Sequence, residues 1–95
     1  MPEMRFFIRW PDGRAETCYS PSLVVKDFLT PGKTYPLADF VARSRGALNI
    51  ASQRVEEKYG FACPRAQAQL ARIETAADAF MNVADAHVTV DAFEE

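Results

Sequence analysis

The chain has 95 residues, of which 48% are hydrophobic, 25% charged and 12% aromatic, and its formal net charge at pH 7 is -2. This length fits one domain over residues 1–95, and the composition is typical of a globular protein, which excludes the disordered and fibrous classes. Residues 61–95 carry two basic and six acidic side chains, a balance of -4, and the chain has no basic stripe, so we expect no nucleic-acid partner.

The first predicted element is a β-hairpin. Apolar side chains alternate with others over residues 4–10, which is the period of a strand that lies across a core. Pro11-Asp12-Gly13 suits a type I turn with glycine in the left-handed position of a bulge, and the chain then returns as a strand over residues 14–20. In the register that this turn sets, Cys18 lies opposite Phe6 and faces the core.

Residues 21–29 leave two alternatives open. Ser20-Pro21-Ser22 combines a capping hydroxyl with a proline that suits a first helical turn, and this predicts a short helix. The β-branched Val24 and Val25 are also compatible with a strand. Thr30-Pro31-Gly32 ends the element in either case.

A long helix is predicted after Tyr35-Pro36. Apolar residues recur at helical spacing from this point until Gly60, which is typical of a helix end. Gly46 lies inside the helix, where glycine is less favourable than alanine by about 1 kcal/mol. We expect this glycine to allow the close approach of a neighbouring element.

The second helix begins at Pro64 and carries apolar residues on one side as far as Ala84. Only residues 61–63 join it to the first helix, so the two should form an antiparallel hairpin. Residues 87–90 alternate and are rich in β-branched side chains, which favours a third strand beside the β-hairpin, whereas residues 91–95 are expected to fray. The predicted fold class is α+β, with a small antiparallel sheet packed against a long antiparallel helical hairpin.

Cys18 and Cys63 are the candidate nucleophiles. Cys63 comes just before a helix amino terminus, where the helix dipole lowers the pKa of a thiol. The alternative is that both cysteines are small buried apolar side chains, since the sequence places no base beside either. His87 is the only histidine, and Cys18, Cys63 and His87 lack the local spacing that preorganises metal ligands. We therefore expect no metal and no cofactor.

Four other residues indicate a binding surface. Arg9, Trp10, Tyr19 and Tyr35 are of the types that dominate protein interfaces, because they bury a large area at a low entropic cost. The alternative for Trp10 is a position at one end of the core, with Arg9 extending past it.

The cellular compartment is predicted from the absence of membrane-spanning and secretory segments in the sequence. No apolar run approaches the roughly 18 residues that span a bilayer, and the first residues lack the pattern of a secretory signal. We therefore expect a cytoplasmic protein with reduced thiols and no membrane partner.

Several segments of the chain resemble a family of small nitrogen-starvation response proteins, encoded in bacterial gene clusters that contain a nitrilase and are linked to cyanide assimilation. These segments are Arg9-Trp10-Pro11-Asp12-Gly13, Cys18-Tyr19-Ser20-Pro21-Ser22, Tyr35-Pro36-Leu37 with Phe40-Val41, and Tyr59-Gly60-Phe61-Ala62-Cys63. The resemblance implies co-encoding with a nitrilase, a radical-SAM protein, an acetyltransferase and a flavoprotein, and a role in the use of scarce nitrogen. It transfers no catalytic residue.

Two functions follow as hypotheses. The first is a non-enzymatic accessory protein that binds a protein from the same gene cluster or a second copy of itself. The alternative is a small enzyme or carrier that acts on a nitrile or cyanide-derived compound through Cys63 or Cys18.

Overall fold

The structure is a computed structural model that describes residues 2–95. Its four strands form an antiparallel sheet in the order β2-β1-β4-β3, accompanied by a 3₁₀ helix and two α-helices, which confirms the α+β class. In chain order the elements are β1 (Met4–Arg9), β2 (Ala15–Ser20), the 3₁₀ helix (Leu23–Asp27), β3 (Thr34–Pro36), α1 (Leu37–Tyr59), α2 (Pro64–Asp78) and β4 (His87–Glu94).

The β-hairpin has the predicted turn and register. The Gly13 N–H donates to the Trp10 carbonyl at 2.8 Å, and Gly13 has a φ of 86°, which makes a type I turn followed by a left-handed glycine. Cys18 lies opposite Phe6, as expected, and both side chains are completely buried.

The segment after β2 is helical, so the strand alternative is wrong. It is a short 3₁₀ helix, with an amino-terminal cap from Ser22, whose Oγ accepts the Val24 N–H at 3.3 Å. The Ser20 hydroxyl instead donates to the Ser22 carbonyl at 2.7 Å and stabilises the turn before the helix. Val24 and Val25 are buried from this helix rather than from a strand.

The helical hairpin is confirmed. α1 ends where Gly60 takes a φ of 86° and donates its N–H to the Glu56 carbonyl, and α2 begins with Pro64 in its first turn. A Cβ at Gly46 would lie 2.9 Å from Cε1 of Phe28, so the expected close approach is also present. It brings the 3₁₀ region against α1.

β4 lies in the middle of the sheet, between β1 and β3. The third strand is therefore confirmed beside the β-hairpin, but the expectation that residues 91–95 fray is wrong. Arg5 and Glu94 are partners in the β1–β4 ladder, and their side chains form an ion pair at 3.3 Å.

A β-bulge explains why β4 does not look like one long strand in the sequence. Asp91 is the extra residue between the partners of Ile8 and Phe7. It shifts the alternation by one, so that Phe93 packs against the core. The alternation of buried and exposed side chains is therefore interrupted at Asp91, whereas the strand itself continues to Glu94.

The core lies between the helices and one face of the sheet. The largest side chains that are fully buried there come from β1, the 3₁₀ region, both helices and β4; they include Phe6, Ile8, Leu29, Phe40, Leu48, Ile73, Val88 and Val90. The other face of the sheet, here called the outer face, is exposed or half-exposed. On the β-hairpin it consists of Arg5, Phe7, Arg9, Ala15, Thr17 and Tyr19.

Candidate functional site

Cys18 lies within the core and is a poor candidate for a nucleophile. Its burial raises the pKa of the thiol far above the ordinary value, the nearby Glu16 carboxylate raises it further, and Arg72 opposes the shift. Because the thiolate is the reactive form, a thiol held in its protonated state is inert at neutral pH.

Cys63 occupies the capping position that precedes α2. Its side chain makes no capping hydrogen bond, its backbone N–H donates to Ser52 Oγ at 3.2 Å, and the residue is 8% exposed. His87 begins β4 near the opposite end of the helical hairpin. Across residues 2–95, no three cysteine, histidine or acidic side chains are grouped closely enough to hold a metal ion.

Trp10 is part of the core, so the expectation of an exposed anchor is wrong for this residue. It is 2% exposed, its ring stacks on Phe80 at a centroid distance of 6.0 Å, and it meets Phe40 edge to face at 5.9 Å. Its Nε1–H donates to Glu16 Oε1 at 2.9 Å. The turn after α2 supplies Phe80 and covers the end of the sheet.

Tyr35 is also buried, at 3% exposure, and the expectation of an exposed position is wrong here too. Its hydroxyl oxygen accepts the Thr30 N–H at 2.9 Å, and the guanidinium of Arg43 lies 5.0 Å from its ring centroid. The side chain therefore fixes the loop that leads into β3.

Arg9 and Tyr19 do lie on the outer face, but at opposite ends of the β-hairpin. Arg9 pairs with Asp91 at 3.3 Å, and the Arg65 guanidinium stacks 3.8 Å above the Tyr19 ring. Partial burial raises the pKa of the Tyr19 hydroxyl, and the nearby Glu3 carboxylate raises it further. The four residues predicted for one binding surface are thus divided between the core and two distant positions on the outer face.

A concave surface lies where α1 begins and α2 ends. We call it the helix-end cleft; it has a volume of about 730 Å³ and is lined by the first turns of α1, the last turn of α2 and the connection to β4. Leu37, Val41 and Phe80 contribute apolar surface to it. Met81 and Val83 also line it and are 69% and 48% exposed, so two large apolar side chains of the same cleft lie in contact with water.

Acidic groups surround the apolar part of the helix-end cleft. Glu74 is neutralised by Arg45, with 2.8 Å between Oε2 and Nη2. Asp78 and Asp85 also line the cleft, and within residues 2–95 neither carboxylate has an ion pair. The cleft therefore combines apolar contact area with two carboxylates that have no ion pair among the described residues.

The family described as nitrogen starvation-induced protein NitG matches residues 5–93. The chain belongs to this family. Comparisons with curated proteins and with solved structures gave no match. The family match confirms the link to nitrogen starvation that the sequence resemblance implied.

In this NitG family member, neither helix between residues 2 and 95 is both long and apolar enough to cross a membrane. The sequence reasoning missed the helix-end cleft, because Phe80 and Ala84 continue the apolar spacing of α2 beyond its observed end at Asp78. Met81 and Val83 gave no separate signal, because each lies three or four residues from Ala77, Phe80 or Ala84 and so also fits helical spacing.

Proposed function

We propose that this NitG family member is a non-enzymatic accessory protein of nitrogen starvation, which binds a protein partner through the helix-end cleft. The partner is another product of the nitrilase-containing gene cluster that the sequence resemblance implies. The family membership supports the physiological setting. We infer the binding role from Met81 and Val83, two exposed apolar side chains within a concave surface.

Exposed apolar side chains in a cleft favour association, because burying them removes apolar area from water. Met81 suits a contact surface because its unbranched side chain adapts to the shape of a partner. The same cleft is also lined by three further apolar side chains, those of Leu37, Val41 and Phe80. The cleft is thus large enough for several side chains of a partner helix.

The charges of the cleft indicate the chemistry of that helix. Asp78 is the last residue of α2, where the helix dipole places negative charge, and Asp85 lies on the same cleft. A helix with an apolar stripe and flanking lysine or arginine residues complements this arrangement. We expect the partner to present such a basic amphipathic helix.

Co-purification tests the proposal. The tagged chain is expressed with each cluster product in turn, and one product should be retained by the parent protein. A Met81→Ser/Val83→Ser variant should retain at least about tenfold less of it, since it removes the exposed apolar contacts. Phe61→Ser is the matched control, because Phe61 is 63% exposed but lies at the other end of the helical hairpin.

Retention of the partner by Phe61→Ser and its loss from the cleft variant would support the proposal. Equal loss from both variants would indicate nonspecific apolar adhesion and contradict it. If no cluster product is retained and light scattering shows a strict monomer, the accessory binding role has no basis.

The thiol-dependent alternative now depends on Cys63, which borders α2 at its amino terminus. A thiol reagent applied to the native protein across a range of pH tests it directly. A fast-reacting Cys63 would support that alternative, whereas two unreactive thiols would eliminate it.

A further inference from the structure

We infer that the free edge of β2 binds an extended acidic segment of a partner protein as a fifth strand of the sheet. This surface is separate from the helix-end cleft. It lies beside Ala15, Glu16 and Thr17, along a groove of about 560 Å³ between β2 and α2. Four observations carry the inference.

The first observation is the direction in which the main-chain N–H and carbonyl groups of β2 point. The Trp10 N–H donates to the Arg14 carbonyl at 2.9 Å, so the main chain of these two residues is paired across the β-hairpin. Antiparallel ladders alternate, and every second residue of β2 therefore turns its N–H and carbonyl away from β1. These residues are Ala15, Thr17 and Tyr19.

The second observation is that only one end of this edge is covered. The Tyr19 N–H donates to Gln69 Oε1 of α2 at 3.0 Å, so the side-chain oxygen of Gln69 takes the place of a carbonyl from a neighbouring strand. Ala15 and Thr17 are exposed, and within residues 2–95 their outward main-chain groups have no partner. Two N–H groups and two carbonyls are free to pair with an added strand.

The third observation is the groove that adjoins this free edge. Small side chains of α2, Ala71, Thr75 and Ala76, form its helical wall. A strand added to β2 would point alternate side chains into this space, because successive residues face opposite sides of a sheet. The groove therefore accommodates side chains that a flat edge would leave in water.

The fourth observation gives the charge of the ligand. Six of the eleven basic side chains form ion pairs, Arg54 donates to the Ser22 hydroxyl, and Lys33 and Lys58 lie over tyrosine rings. In the described residues, only Arg14 and Arg72 have none of these partners. Both line the groove.

Carboxylates on the added strand would pair with these two guanidinium groups. Glu16 also lines the groove, but its Oε1 already accepts the Trp10 indole N–H. A second copy of the chain is a poor ligand, because its own β2 would bring another Arg14 to the edge and a Glu16 that is engaged in the same way. We therefore assign the edge to a foreign acidic segment.

A six-residue peptide that alternates valine and glutamate is the probe. Fluorescence anisotropy measures its binding to the intact protein at low salt, and hydrogen exchange by NMR follows the Ala15 and Thr17 amides. Binding should slow the exchange of both amides, and Arg72→Glu should weaken binding by about tenfold or more. Lys58→Glu makes the same change of charge away from the groove and should alter binding less than about twofold.

A peptide with methylated amide nitrogens separates strand addition from simple charge attraction, because it keeps the carboxylates and loses the main-chain donors. Loss of binding by this peptide supports the inference. Equal binding of the methylated peptide, equal binding of a valine-lysine peptide, or unchanged exchange at Ala15 and Thr17 would each overturn it. Protection of these amides by self-association, without peptide, would assign the edge to a second copy instead.

Discussion

The indole Nε1 of Trp10 lies 2.9 Å from Oε1 of Glu16, which is on the opposite strand of the β-hairpin, three residues after Gly13 of the turn. The bond gives the one polar atom of a buried ring a charged acceptor, so the tryptophan can enter the core without an unsatisfied donor. Phe40 and Phe80 complete its surroundings. This end of the β-hairpin is therefore fixed by packing from both α1 and the segment after α2.

Trp10→Ala should lower the free energy of unfolding by about 3 to 5 kcal/mol, because it removes a large side chain that is almost completely buried. Urea denaturation of the variant and the parent measures the difference. Trp10→Phe keeps much of the apolar volume and should cost less. An unchanged denaturation midpoint for Trp10→Ala would show that the ring contributes little to the core.

The contrast between Trp10 and the β-hairpin turn shows what the sequence could predict. The turn and its register depend on neighbouring residues, so Pro11-Asp12-Gly13 was sufficient to place Cys18 in the core. The burial of Trp10 depends on Phe80, which is distant along the chain and follows the end of α2. No pattern in the sequence around Trp10 predicts that Phe80 will pack on its ring.

The candidate site was less predictable for the same reason. The helix-end cleft requires the chain to leave the helix after Asp78 and to bring Met81 and Val83 beside the start of α1. The edge of β2 depends on how far α2 covers it, and Gln69 marks the limit of that cover. Both surfaces result from the tertiary placement of the helices, whereas the helices themselves follow from periodicity and from Gly60 and Pro64.

Gly46→Ala should be destabilising, although alanine is the better helix former by about 1 kcal/mol. The added Cβ would lie 2.9 Å from Cε1 of Phe28, and the ring packs against the core, so its displacement should outweigh the gain by about 1 to 2 kcal/mol. In a Phe28→Ala background the same substitution should stabilise the protein. A double-mutant cycle by thermal denaturation tests this change of sign.

If Gly46→Ala stabilises the parent protein, the Phe28 ring moves freely and the contact does not constrain α1. If it destabilises both backgrounds equally, the cause lies in another neighbour of the helix.

Cys18 should make stability depend on pH in the alkaline range. Burial raises the pKa of its thiol in the folded state, whereas the unfolded thiol has a pKa of about 8.5. The folded state therefore retains the proton more strongly. The Cys18 thiol therefore makes its full contribution to the free energy of unfolding below about pH 8.5. This contribution is lost as the pH rises from there toward the pKa of the folded state. The free energy of unfolding falls by up to about 1.4 kcal/mol per pH unit over this range.

The measurement is the free energy of unfolding between pH 7 and 10 for the parent and for Cys18→Ala. The stability advantage of the parent should shrink above about pH 8.5. Cys63→Ala is the matched control and should keep the alkaline slope that Cys18 causes. A constant difference between the parent and Cys18→Ala would show that the buried thiol ionises as readily as an unfolded one.

Phe93→Ala should lower the free energy of unfolding by about 1 to 3 kcal/mol, because Phe93 is partly buried against the core although it follows the bulge at Asp91. Ala92 is exposed, and Ala92→Ser on the other side of the strand should change stability by less than about 0.5 kcal/mol. Chemical denaturation compares the two. Equal, negligible effects would indicate that β4 ends at the bulge.

The position of β4 also determines when the sheet can form during synthesis. Its partner β1 is made early, yet the Arg5 and Glu94 side chains that meet across this ladder are separated by 89 positions in the sequence. Until β4 leaves the ribosome, β1 can pair only with β2, and its other edge stays open to wrong partners. The closure of this long loop should therefore be a late step of folding, and a nascent chain stalled before β4 should depend on chaperones more than the finished protein does.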